Sequence, residues 1–259
     1  MATFLFDKVI FGPIQSRRLG VSLGINLLPL NGKICSFNCI YCECGWNPDV
    51  RMGKSSLPDR QEVADKLEKK LREMFASGQL PDVITFAGNG EPTLHPQFPE
   101  IVEDTIRIRD HIASDCKISV LSNATTVSNK NVFDALLKID NNIQKLDSAV
   151  PETLRVLNCP TGKFSVEKLI ENLSSFSGRL IVQTLFLRGK YNDKYIDNTT
   201  EEELFAWTNA LKLIRPRKVM VYSLSRETPA KDLEKVPVEE LQKIAERVRD
   251  IGVEVQVSV

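Results

Sequence analysis

Histidine is nearly missing: the 259 residues contain two, His95 and His111. A histidine-built metal site or an imidazole-centred acid–base mechanism therefore has little to draw on. His111 reads as a surface residue at a helix end, and His95, in Glu-Pro-Thr-Leu-His-Pro, as a turn former. Neither sign of charge is in excess. The 34 Lys and Arg balance the 34 Asp and Glu, so there is no overall pull toward nucleic acid or an anionic membrane. No apolar run approaches the roughly 20 residues of a membrane span. The start, MATFLFDKVIFG, is broken by Asp7 and Lys8 and lacks the apolar stretch of a signal peptide. A reducing, cytoplasmic setting is the expectation, with disulfides unlooked for. Linkers, internal repeats, low-complexity tracts, a P-loop and a nucleophile elbow are all lacking too.

Cysteine, by contrast, is concentrated. Residues 35 to 44 read Cys-Ser-Phe-Asn-Cys-Ile-Tyr-Cys-Glu-Cys. Cys35, Cys39 and Cys42 stand in a C-x-x-x-C-x-x-C spacing, short enough to wrap three thiolates around one face of a cubane iron–sulfur cluster. Most such clusters take four cysteine ligands. Three leave one iron open to bind something else, which turns an electron carrier into a catalytic centre. Two plainer readings stand beside this one. Buried cysteine can serve as a small hydrophobe, but four within ten residues, interrupted by Asn38 and Glu43, do not read as core. A structural zinc could use Cys35, Cys39, Cys42 and Cys44, although such sites usually draw ligand pairs from separated segments and no second pair lies elsewhere. Cys44, Cys116 and Cys159 are expected to be unconnected thiols.

Around this stretch the chain alternates between two periods. Apolar runs of strand length fall at residues 21–28, 83–86, 118–121, 143–146, 180–187 and 219–224, and residues 253–259 carry valine at every second position. Between them lie helical stripes: Val63, Leu67, Leu71 and Met74 behind Pro58 and Asp59, then Phe98, Ile101, Val102, Thr105 and Ile106, then Val132, Phe133, Leu136 and Leu137. Further on, Val166, Leu169, Ile170 and Leu173 follow Ser165 as N-cap, Leu204, Thr208 and Leu211 follow a Thr200–Glu203 capping box, and Leu241, Ile244 and Val248 follow Pro237. Six strand–helix units and a last strand predict an α/β fold with a parallel sheet. The form expected is a partial (β/α)6 TIM-like barrel with a final C-terminal strand. One domain spans 1–259, residues 1–20 being an N-terminal extension and 21–259 the barrel.

In such folds the site lies at the C-terminal ends of the strands. Nearly every suggestive residue falls there: the cysteine loop, Gly88-Asn89-Gly90-Glu91-Pro92, Ser122-Asn123, Asp147, Arg188 and Arg226. Glycines in such a turn let the backbone approach a ligand closely, and Glu91 can accept hydrogen bonds from an ammonium group. Taken alone, the turn reads equally as a tight strand-to-helix connection. Ser122-Asn123 also suits a helix N-cap, Asp147 a solvated turn, and Tyr41 a core position. Arg17, Arg18, Arg188 and Arg226 could together form a pocket for a carboxylate or phosphate; solvated arginines are the alternative. Residues 189–199 are expected to form a long loop over the active face, a lid candidate.

The cysteine spacing with Tyr41, followed one strand–helix unit later by Gly90-Glu91-Pro92, resembles the radical S-adenosylmethionine (radical SAM) superfamily. Phe-Gly-Pro-Ile-Gln-Ser-Arg-Arg-Leu-Gly-Val-Ser-Leu-Gly-Ile-Asn, with the cysteine loop and Gly-Glu-Pro-Thr-Leu, looks like a bacterial group related to the tRNA-wyosine synthases, over residues 9 to 95. The resemblance implies a [4Fe–4S] cluster on Cys35, Cys39 and Cys42 and SAM on the open iron. It implies that Asn89, Gly90 and Glu91 meet the methionyl amino group, that Tyr41 lies near the adenine, and that Ser122, Asn123 and Asp147 face the cofactor. Asn89 departs from the Gly-Gly-Glu-Pro pattern. An external one-electron reductant of flavodoxin or ferredoxin type is implied, as is a 5′-deoxyadenosyl radical that abstracts hydrogen from a small-molecule or nucleoside substrate. An activase or peptide modifier is the alternative, and a non-catalytic iron–sulfur protein a third. Wyosine synthesis itself is disfavoured, because no cysteine precedes Cys35 and the balanced charge offers no basic footprint for tRNA.

Overall fold

The computed structural model describes residues 4–48 and 57–258; Val259, the last of the alternating valines, lies outside them. Seven strands run parallel: β2 (Gly20–Ile25), β3 (Val83–Phe86), β4 (Lys117–Ser122), β5 (Asn141–Lys145), β6 (Ile181–Tyr191), β8 (Lys218–Ser223) and β10 (Glu254–Ser258). Their spatial order repeats their order in the chain, as successive crossovers in one direction require. The crossovers are the helices α1 (Arg60–Ala76), α2 (Phe98–Ile112), α3 (Lys130–Leu136), α4 (Pro151–Asn158) with α5 (Val166–Ser174), α6 (Glu201–Ile214) and α7 (Val238–Asp250). The expected six strand–helix units and final strand are all present. Strand β2 does not pair with β10, so the barrel stays open.

Burial on both faces explains the strand sequences. Residues 83–86 and 118–120 are buried whichever way they point, as a sheet covered by helices outside and side chains inside demands. Outside, Leu67, Leu71, Phe98, Val102, Leu169, Leu173, Trp207 and Ile244 join one apolar layer between helices and sheet. Inside, Ile143, Ile181 and Met220, with Leu19 and Leu121 against them, plug the lower end of the barrel.

Several local features differ from the sequence reading. Residues 10–16 form β1 (Ile10–Ser16), antiparallel to β2, so the supposed extension is part of the sheet. The turn after it reaches the far edge, where the Gln256 side chain donates to the Arg18 carbonyl at 3.4 Å. Residues 189–199 are not an irregular loop. Strand β6 continues to Tyr191 and folds back through Asn192 and Asp193, both with φ above +50°, into β7 (Lys194–Asp197). Two left-handed residues in a two-residue loop are the hairpin geometry that Asn and Asp tolerate, a signal the sequence carried. A short strand, β9 (Leu233–Lys235), also pairs with β6. Ser165 and Thr200 cap their helices as expected, but Glu203 bonds Ser148 instead of closing a capping box.

Candidate functional site

The cysteine loop leaves β2 and is held against the turn after β3 by backbone hydrogen bonds. The Ile34 N–H donates to the Asn89 carbonyl, and the Glu91 N–H donates to the Ile34 carbonyl, both at 3.0 Å. Gly90 permits this approach. Its φ is +133°, and a Cβ there would stand 1.9 Å from the Ile34 carbonyl oxygen. The backbone just before Cys35 is therefore stitched to the turn carrying Glu91.

Above the apolar plug a cavity of about 430 Å³ opens at the C-terminal ends of the strands, and Cys35, Cys39, Cys42 and Cys44 all line it. All six cysteines are free thiols. Asn123 Nδ2 lies 3.5 Å from Cys35 Sγ and 2.9 Å from Ser36 Oγ, and Asn158 Nδ2 lies 3.4 Å from Cys39 Sγ. The single S–H of Cys44 has two acceptors within reach, the Cys42 sulfur and the Gly88 carbonyl. Cys116 and Cys159 stand apart, the first in the outer apolar layer and the second at the end of α4.

Burial pushes the Cys35 thiol up to about 12 and Cys39 up to about 11. Cys42 goes the other way, because Cys44 donates to it and Lys33 sits beside it. Lys33 is only 3% exposed, and its ammonium donates to the Gly45 carbonyl at 2.8 Å. Burial would lower it, but the fields of Cys42, Cys35 and Cys39 outweigh that and leave it raised. Among the described residues, no three His, Cys, Asp or Glu converge as ligands of a single metal ion.

Glu91 is 2% exposed and lines the same cavity. It accepts from the Thr93 hydroxyl at 2.5 Å, from the Thr93 N–H at 3.1 Å and from the Asn123 N–H at 2.6 Å. Burial raises it against the pull of these donors. Ser122 and Asn123 line the cavity too, so the turns after β3 and β4 meet through one carboxylate.

Tyr41 lines the cavity, and its hydroxyl donates to Asp147. Asp147 does not reach the cavity as expected. It is 1% exposed and accepts from Tyr41, Asn158 at 2.7 Å and the Leu185 N–H at 3.0 Å, with the Lys145 ammonium at 3.4 Å. Asn89 likewise turns away: its amide pairs with both backbone groups of Phe6 and with the Pro29 carbonyl, pinning the N-terminal segment.

The arginines divide. Arg17, Arg18 and Arg226 line the cavity; Arg17 donates to Ser225, Arg18 stacks over Tyr222 at 4.5 Å, and Arg226 pairs with Glu43 at 2.5 Å. Arg188 does not, because Asp197, Thr199 and Glu240 take its guanidinium outside the barrel. No residue of 189–199 lines the cavity either, which removes the lid; Tyr191 instead stacks on Trp46. His95 is a turn residue, bonding the Pro58 carbonyl and the Gln97 N–H.

Sequence reasoning passed over Lys33, Lys145, Gln183 and Tyr222, which also line the cavity. Lys145 and Gln183 had a signal: each is a long polar residue inside a strand expected to be buried on both faces.

Comparison with known proteins agrees with this geometry. The chain is 28% identical over 243 residues to a protein named GTPase Obg from Brachyspira hyodysenteriae, matching 92% of this chain and 33% of that one. It is 31% identical over 225 residues to a UPF0026 protein of Synechocystis, covering 85% of this chain and 77% of the relative. The chain thus spans a third of the first relative's length. In fold it resembles a radical SAM methyltransferase from Sphaerobacter thermophilus, with a TM-score of 0.65, 15% identity and coverage of 91% and 65%. Streptococcus suis SuiB bound to S-adenosylmethionine gives 0.61, 15%, 88% and 49%, and archaeal TYW1 gives 0.55, 13%, 88% and 71%. The model of the Radical SAM superfamily matches residues 32–202, the span from the cysteine loop to the start of α6. The chain groups with the UPF0026 proteins and belongs to the radical SAM superfamily, enzymes that work with S-adenosylmethionine and an iron–sulfur cluster.

Proposed function

We propose that the cavity is the active site of a radical SAM enzyme in which Cys35, Cys39 and Cys42 hold the [4Fe–4S] cluster and Glu91 receives the methionyl ammonium of SAM. The observation that carries this reading is the pairing of Glu91 with the thiols. A buried carboxylate, oriented by Thr93 and Asn123, faces the same cavity as three free cysteines of one short loop. The donor set fits such a cluster. Three cysteines of a cubane bind three different irons, so convergence on one point is not required of them, and Lys33 offsets part of their charge.

Bound there, cluster and SAM would supply reductive cleavage of the sulfonium to methionine and a 5′-deoxyadenosyl radical that takes a hydrogen atom from substrate. The electron comes from an external flavodoxin- or ferredoxin-type reductant. The chain's own part is positional. Asn123 and Asn158 hold Cys35 and Cys39, Gly90 lets the two loops touch, and the apolar plug shuts the lower end of the cavity to water. Arg17, Arg18 and Arg226 give its wall a positive face suited to an anionic substrate. The reading includes a relation to the group containing the tRNA-wyosine synthases, supported by the sequence resemblance over residues 9 to 95. Its substrate is a small molecule or nucleoside.

Anaerobic reconstitution and chemical reduction test the reading. Wild type should convert SAM to 5′-deoxyadenosine and methionine without added substrate, measured by liquid chromatography. Glu91→Ala should keep its iron and bind SAM about tenfold or more weakly, the loss of one charge-assisted hydrogen bond. Wild-type SAM affinity in Glu91→Ala removes that assignment, and stoichiometric zinc without iron removes the radical reading.

A further inference from the structure

The β5–β6 wall of the cavity carries polar groups that the proposed reaction does not use. Lys145 of β5 and Gln183 of β6 are register neighbours on adjacent parallel strands. Both line the cavity, so their side chains stand side by side, about 4.8 Å apart in strand spacing. Met220, next to Gln183 in register, belongs to the plug just below. The β1–β2 turn brings in Arg18, which lines the same cavity and whose guanidinium lies over the ring of Tyr222 on β8, the strand next to β6.

Two of these three side chains hold buried donors without acceptors. Gln183 is 6% exposed, yet its amide Nε2 has no partner; nor does the buried Nη1 of Arg18. Lys145 is 17% exposed on its side chain and uses its ammonium on Tyr41 at 2.8 Å and Asp147 at 3.4 Å, which leaves the third of its N–H groups. Unpaired buried donors are costly and rare. The acidic groups facing the cavity, Glu43 and Glu91, are engaged elsewhere, by Arg226 and by Thr93 and Asn123. Among the described residues, nothing supplies the missing acceptor.

The geometry points to a small substrate with an oxyanion group, carboxylate or phosphate, that enters charged end first and is held inside the barrel by Gln183, Arg18 and Lys145. This rests on the proposed radical SAM reading and names the substrate class of that site. Two donors from neighbouring strands and a guanidinium over the next strand suit the two or three oxygens of such a group. The Ile143–Ile181–Met220 plug beneath limits how far it enters and leaves the rest of the molecule pointing up toward the thiols. A nucleic acid or folded protein would reach these donors only with a protruding group of that size.

The test uses cluster-loaded protein under anaerobic conditions. Gln183→Met keeps the side-chain volume and removes the orphaned amide, so without substrate it should melt about 2–5 °C higher than wild type. A lower melting temperature makes Gln183 a structural residue and overturns the proposal. With SAM bound, succinate or inorganic phosphate should stabilise wild type saturably, and which of the two acts separates carboxylate from phosphate recognition. Arg18→Met and Gln183→Met should each weaken that effect about tenfold or more. No saturable stabilisation by either probe, or none lost in the variants, refutes the site. SAM affinity should be the same in all three proteins. A matching fall in SAM affinity gives these donors to the cofactor and overturns the proposal while leaving the radical SAM reading standing; failure of wild type to bind SAM removes that reading first.

Discussion

Asp147 should be the most costly single side chain to remove from the wall behind the cavity. At 1% exposure its carboxylate accepts from Tyr41, Asn158 and the Leu185 N–H and lies 3.4 Å from the Lys145 ammonium. Asp147→Ala takes that carboxylate away from the ammonium and from all three donors. Breaking a buried pair from one side costs about 3–5 kcal/mol. With an unfolding entropy of about 2.1 cal/mol/K per residue, a chain of 259 residues loses about 6–9 °C in melting temperature. Lys145→Met in the same background should restore part of it, because the uncompensated charge is then gone; a coupling above about 1 kcal/mol is expected for such neighbours. The sign with pH follows from Lys145. Burial would lower its pKa, but Asp147, Tyr222 and Cys39 outweigh burial and leave it above the unfolded value. Its contribution is therefore fully present below the unfolded lysine pKa of about 10.4 and fades only as pH rises through the higher folded value. In wild type that contribution should therefore be flat from about pH 6 to 9. Anaerobic scanning calorimetry on wild type, both single variants and the double variant reads the cycle. Additive losses in the cycle would refute the idea that one buried charge pair holds this wall.

Two further outcomes concern the cysteine loop. Cys44 lines the cavity but is spent on Cys42 or the Gly88 carbonyl, so Cys44→Ala should keep the brown colour and iron content that Cys42→Ala loses; equal loss in both shows that the ligand set is wrong. Gly90→Ala places a Cβ at φ +133° against the Ile34 carbonyl, a strain of about 1–3 kcal/mol or more, and should lower iron and sulfide per chain after reconstitution by moving the backbone before Cys35. An iron content equal to wild type would show that the contact between the loops does not position the cysteines.

The fold was readable because a sheet buried on both faces writes itself as apolar runs, and each run from 83–86 to 219–224 became a strand within a few residues. What the runs could not show was the role of polar side chains. Asn89 lies within a ligand-binding motif, yet its amide matches the paired donor and acceptor of the Phe6 backbone, and that long-range partner is invisible in one dimension. Asp147 follows the end of β5 as expected, whereas Arg188 lies inside the longer β6, and position along a strand does not fix direction in either case. Asp147 points back at Tyr41 and Lys145, and Arg188 out toward Glu240. The 189–199 segment read as a loop because Lys, Tyr, Asn and Asp are mixed there, whereas the Asn192-Asp193 pair already spelled a hairpin turn.

The balanced composition misled in one respect. Equal numbers of acidic and basic residues describe the chain as a whole, and an exclusion drawn from that total applies to the outer surface. The cavity is not neutral. Arg17, Arg18, Lys33, Lys145 and Arg226 line it against Glu43 and Glu91, and Lys33 and Lys145 are carried on the loop and strand interior, where surface charge counting does not look. Lys33 stands beside the thiols, Lys145 reaches from β5 to Tyr41 and the neighbourhood of Cys39, and Arg18 and Gln183 carry the buried donors whose acceptor is missing. A positive interior bounded by apolar residues keeps its field because little water enters to screen it. A neutral chain can therefore select an anion, provided that the anion is small enough to enter.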